Sequence, residues 1–140
     1  MEGEMSELGN GTPLLRYSVL AILAEGGSLV GANLREVDLS RIDFRGANLE
    51  GADLTGAQLN YAKMSGVNLR DAKLEKAFMF GAELQEACLV GAQLKHADLR
   101  FSLLAGADVS GVDLSETNLV CAELKGIVCD DATRLPDGSH

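Results

Sequence analysis

From Leu29 to Leu124 every fifth residue is apolar, with no slip in register. A period of five matches neither the 3.6 residues of a helical turn nor the alternation of a continuous strand, so the chain must change direction once per unit. Each unit is then a short extended side and a corner. Residues two apart in extended backbone face the same way, so the small residue two before each large one, as at Ala32, Ala47, Ala52, Ala57, Ala62, Ala72 and Ala77, faces inward with it. Glycine recurs two residues after, as at Gly46, Gly51, Gly81 and Gly91, where a corner needs a permissive backbone.

The predicted core ladder after Leu29 is Leu34, Leu39, Phe44, Leu49, Leu54, Leu59, Met64, Leu69, Leu74, Met79, Leu84, Leu89, Leu94, Leu99, Leu104, Val109, Leu114, Leu119 and Leu124. One inserted residue would turn every following inward side chain outward, which accounts for the unbroken register. A leucine-rich repeat has one strand per twenty or more residues and no regularity at every fifth, so it is excluded.

Phrases such as GANLREVDLSRIDFRGANLEGADLTGAQL resemble the A(D/N)LXX units of the pentapeptide-repeat family, over about a hundred of the 140 residues. The resemblance implies an all-β solenoid, a right-handed quadrilateral β-helix with four units to each coil. The repeat then makes about five coils at the spacing of paired strands, a rod about 24 Å long. It also implies bacterial origin, from where the family is abundant.

Solenoid ends expose strand edges and need covering. Thr12 and Pro13 have the residue types of a helix N-cap and first helical position, so a short α-helical cap is expected over 12–26, ending at Gly26 and Gly27. Its apolar face is expected at Leu15, Val19, Ile22 and Leu23. The β-helix is expected over 27–126, a terminating turn and tail over 127–140, and a disordered, Gly-rich acidic tail over 1–11.

The net charge of −9 disfavours nucleic acid as a partner, since phosphate contacts need clustered Lys and Arg. Residues 27–126 hold fourteen acidic and ten basic side chains, so the charge is dispersed. Cys88, Cys121 and Cys129 lack metal or disulfide spacing, the pattern of a reduced compartment, and the expected location is cytoplasmic. The apolar run 17–24 is too short to span a bilayer, and no membrane partner is expected.

With twenty residues per coil, residues twenty apart share a side. One side then carries Tyr61, Phe78, Phe80 and Phe101 outward with Val120 and Cys121 beside them, and a rim of Asp38, Arg41, Asp98 and Arg100. Outward aromatic and apolar residues on one side mark a protein interface, and a homodimer is its simplest form. The competing explanations are that the N-terminal segment folds over this side, or that Phe78 and Phe80 simply cover a wider, looser coil.

No catalytic site is expected. Lys76, His96 and Glu116 stack at neighbouring corners with Ser115 alongside, but a rod surface supplies neither an orienting third group nor a water-excluding pocket. His96 and His140 share no ligand-spaced cluster, so no metal is expected. No cofactor is expected either, since the glycines fall at corners and do not lead from strand to helix. The expected function is a non-catalytic protein-binding or scaffold module presenting flat faces. The alternative follows from the resemblance alone: some members imitate duplex DNA and bind DNA gyrase or topoisomerase. Mixed charge on the faces, five coils, no loop projecting between repeats and no apolar helix after the last coil speak against it.

Overall fold

The computed structural model describes residues 12–136. The expected disordered tail over 1–11 and residues 137–140 lie outside them. Among the described residues every β-bridge is isolated and parallel, and almost all join residues twenty apart. They fall into four series. Side 1 runs Asn33, Asp53, Lys73, Gln93; side 2 Asp38, Gln58, Phe78, Asp98, Asn118; side 3 Asp43, Lys63, Glu83, Leu103, Glu123; side 4 Asn48, Asn68, Cys88, Asp108, Val128. With one bridging residue in each five, no side is long enough to form a continuous strand.

Coils are numbered by ladder residues: coil 1 holds Leu29 to Phe44, and coil 5 holds Val109 to Leu124. The hydrogen bonds repeat with them. Leu34 N–H donates to Asp53 O in the next coil (2.8 Å), and Asp53 N–H donates back to Ala32 O (2.9 Å). Ala57 N–H donates to Leu54 O (2.9 Å), closing a turn within one unit. The residue two after the ladder position has positive φ, the pattern of a type II turn, at every corner from Gly31 to Gly126 except Glu116. Non-glycine residues stand there too, among them Arg41, Tyr61, Asp71, His96 and Phe101.

These corner side chains lean onto the following coil. A Cβ placed on Gly56 would lie 3.1 Å from Glu36 Cγ, and one on Gly81 2.7 Å from the Tyr61 ring. Asp71 overhangs Gly91 and Glu86 overhangs Gly106 in the same sense. A corner glycine thus often receives the side chain of the coil before it.

The ladder from Leu29 to Leu114 is buried, with Leu119 and Leu124 half-buried. Each Leu withdrawn from water contributes about 1.5–3 kcal/mol, most of it offset by ordering the backbone.

Helix α1 spans Arg16–Ala24 and buries Val19 and Ile22 in the same core. It starts later than the sequence predicts. Its N-cap is Leu15, without a side-chain cap bond. Leu14 N–H donates to Asn33 O (2.9 Å) and the Leu14 side chain is buried. Leu14 is therefore already in ladder phase, fifteen residues before Leu29, and the helix forms only after that extended contact. Leu15, expected on the apolar face, is 57% exposed. At the other end Gly26 has φ +69°, and Gly27 N–H donates to Ile22 O (2.8 Å).

The pairing also runs past residue 126. Val128 bridges Asp108, and Arg134 bridges Asp113, twenty-one residues away. The extra residue lies in the segment 129–133. There Asp130 Oδ1 accepts Gly111 N–H (3.0 Å) and the Thr133 hydroxyl donates to Val109 O (3.0 Å). Side 1 opens beside this slip: no bridge joins Gln93 to Asp113, and the Gly91, Leu94 and Asp113 amides have no backbone partner among the described residues. His96 N–H donates to Glu116 O instead, and the Thr117 hydroxyl reaches Leu94 O (3.0 Å). The opening is a cleft of about 390 Å³ lined by Gly91, Gln93, Lys95, Asp113, Ser115 and Glu116 among others.

Candidate protein interface

Side 2 is built from the bridge residue, its outward neighbour two residues on, and the corner that follows. In coil 3 these positions are Phe78, Phe80 and Gly81. The glycine lets the Tyr61 ring of coil 2 descend over the corner, where it meets Phe80 edge-on at 5.7 Å between centroids. Phe80 in turn lies 5.3 Å from Phe101 of coil 4. Tyr61, Phe80 and Phe101 thus form one column along the corner between sides 2 and 3. Offset and edge-on pairs of this kind are favourable beyond their buried area.

Of the remaining expected residues, Phe78 stands in the middle of side 2, between Gln58 and Asp98, with no ring contact among the described residues. Val120 and Cys121 lie beyond Phe101 in coil 5, both exposed. Phe80 is half-buried in the column. Tyr61, Phe78, Phe101 and Val120 remain 45%, 49%, 52% and 59% exposed.

Two arginines expected at the rim belong to the column itself. The Arg41 guanidinium sits 4.7 Å from the Tyr61 centroid, and that of Arg100 sits 5.3 Å from Phe80. Both distances suit cation–π attraction. Asp98 holds Arg100 with two hydrogen bonds, 2.9 and 2.7 Å. These bonds, set against some burial, keep the Asp98 carboxyl below its ordinary range. The twenty-residue spacing put Arg41 and Tyr61 at one corner, but the lean of corner side chains toward the next coil is not written in it.

Helix α1 reaches this side at coil 1. Arg16 donates to Asp38 O and Ser40 O, 2.9 Å each, and its guanidinium is 3.7 Å from the Asp38 carboxylate. The helix leaves the rings of coils 2 to 4 uncovered.

At the stacked corner of Lys76, His96 and Glu116, the glutamate pairs at the surface with a neighbouring lysine, Lys95. Glu116 lies 3.5 Å from Lys95 and 4.0 Å from His96, all about half-exposed. Among the described residues no group of three or more His, Cys, Asp or Glu side chains could hold a metal, and Cys88, Cys121 and Cys129 are free thiols. Among the described residues no helix is long and apolar enough to cross a membrane.

Residues 28–66, 62–100 and 92–127 match the family described as pentapeptide repeats. No curated protein matches the sequence. Among solved structures, the chain is similar to a pentapeptide repeat protein from the Arabidopsis thaliana thylakoid lumen. The two are 31% identical over 66% of this chain and 65% of that one, with a TM-score of 0.64. This chain therefore spans just under two thirds of that relative's length. It is also similar to a pentapeptide repeat protein from Nostoc PCC 7120, 25% identical over 85% of this chain and 99% of that one, with a TM-score of 0.53.

Proposed function

The chain belongs to the pentapeptide-repeat family, and from that premise we propose that it is a non-catalytic protein-binding module, a right-handed quadrilateral β-helix whose aromatic side is the interface. The observation that carries this reading is the exposure of Tyr61, Phe78, Phe101 and Val120 on one side of the coil. Rings held in a column by one another and by Arg41 and Arg100 lose little freedom on docking, and aromatic and Arg side chains dominate interface energetics. Helix α1 acts as the cap of the first coil, and the free thiols suit a reducing, cytoplasmic setting.

Imitation of DNA has no comparable support. The bridge residues of side 3 alternate Asp43, Lys63 and Glu83, and Asp38, Asp43, Asp53 and Asp98 each lie within 4 Å of an arginine. A continuous negative stripe, which mimicry would use to draw a DNA-binding partner, does not fit that arrangement.

The test is a Phe80→Ser, Phe101→Ser double variant. It is expected to keep its far-ultraviolet circular dichroism, because neither side chain belongs to the inward ladder. It is expected to lose self-association or the capture of partner proteins seen with the wild type. A folded variant that keeps its mass in solution and every partner would show that the interface lies elsewhere.

A further inference from the structure

We propose that the occupant of the aromatic side is a second copy of this chain, lying antiparallel about a two-fold axis through Phe80; the proposal rests on the interface reading above. The column is centred along the rod. Tyr61, Phe80 and Phe101 belong to coils 2, 3 and 4 of five, so Phe80 has two coils on either side. A two-fold axis perpendicular to the rod at Phe80 sets that ring against the partner's Phe80, and Tyr61 against the partner's Phe101. An isologous contact requires that reciprocity, each residue meeting the one that meets it.

Charge chooses the direction. Arg41 in coil 1 holds a ring but has no carboxylate partner among the described residues, unlike Arg100, which Asp98 clamps. Glu123 in coil 5 is exposed beside the same corner and takes part in no ion pair among the described residues. The antiparallel arrangement brings each Arg41 toward the partner's Glu123. A parallel arrangement would set Arg41 against Arg41 and Glu123 against Glu123, where like charges repel.

The side is only about 24 Å long. Such a contact falls at the small end of specific interfaces, so the dimer is reversible and its population depends on concentration.

Light scattering on the full chain, over a concentration series, is expected to move from the 14.8 kDa chain mass toward twice that value. Phe80→Ser is expected to raise the midpoint concentration about tenfold or more, as loss of a central aromatic does. Arg41→Glu is expected to raise it as well, and Arg41→Glu combined with Glu123→Arg to restore it.

Register is read by disulfide trapping with Cys88 and Cys129 replaced by Ser. In the antiparallel dimer position 40 of one copy lies near the partner's Cys121, so Ser40→Cys is expected to give a covalent dimer that vanishes when Cys121→Ser is added. A covalent dimer through Cys121 alone would mark the parallel register and overturn the proposal. A monomer at all concentrations also overturns it; if capture of other proteins still depends on Phe80 and Phe101, the interface reading survives. A dimer indifferent to both rings sinks both.

Discussion

The residue before each ladder position is often Asp or Asn, and its side chain does a local task. In unit after unit its Oδ1 accepts the N–H two residues on: Asp38 from Ser40 (3.0 Å), Asp53 from Thr55 (3.1 Å), Asp108 from Ser110 (3.0 Å), Asn118 from Val120 (3.1 Å). That amide has no ladder partner, so the side chain supplies one, as in an Asx turn. Asp53→Ala is therefore expected to lower stability by about 1 kcal/mol and Asp53→Asn by much less, measured by chemical denaturation.

The same bonds favour the ionised carboxylate. Asp43, hydrogen-bonded by the Arg45 side chain and N–H, is lowered from 3.8 to about 2, and Asp38, Asp98 and Asp113 shift the same way. A carboxyl with a depressed native pKa stabilises the fold fully above its unfolded value, and that contribution is lost as pH falls through the native one. Stability is thus expected to be level with respect to these groups above about pH 5 and to fall between about pH 4 and pH 2, followed by denaturation midpoints. The glycine corners respond to substitution according to what lies above them. Gly46 has φ +70° and open space around a new Cβ, so Gly46→Ala is expected to cost about 1–2 kcal/mol of backbone strain. Gly81→Ala carries the same strain and also meets the Tyr61 ring at 2.7 Å, so it is expected to cost more and to disturb the Tyr61–Phe80 pair.

Among the elements, α1 and the open end of side 1 are where local sequence says least. The inward pattern was legible because a buried Leu or Ala every fifth position leaves a periodic mark. The start of α1 was not: Thr12 and Pro13 have the residue types of a helix start, while the contact that delays the helix, Leu14 to Asn33, is nineteen residues distant. The slip after Val128 was equally hidden, because it depends on Thr133 and Asp130 bonding to the coil beneath. The aromatic side could be assigned from spacing alone, but the seating of Arg41 and Arg100 on its rings depends on side-chain direction. Two measurements address these elements. Ile22→Ala, in the buried face of α1, is expected to cost about 2–5 kcal/mol, and Leu20→Ala, 44% exposed, less than about 0.5 kcal/mol. In hydrogen exchange, the Gly91, Leu94 and Asp113 amides are expected to exchange far faster than their ladder-bonded counterparts Asp71, Leu74 and Lys73.

For the whole molecule, stability is close to a sum over coils and the contacts between neighbours. Excising residues 47–66 removes one coil and joins like positions, so a shorter folded rod is expected by circular dichroism. Excising 47–65 shifts the register by one and is expected to unfold the chain or split it at the junction. The overhang of corner side chains gives the rod a polarity that shape alone does not. Glu36, Tyr61, Asp71 and Glu86 each extend from an earlier coil over a glycine of a later one. On the ribosome the N-terminal end emerges first, so each overhanging side chain is made a full coil before the glycine that receives it. Coils 2, 3 and 4 therefore each dock beneath a roof already in place, and assembly can proceed in the order of synthesis.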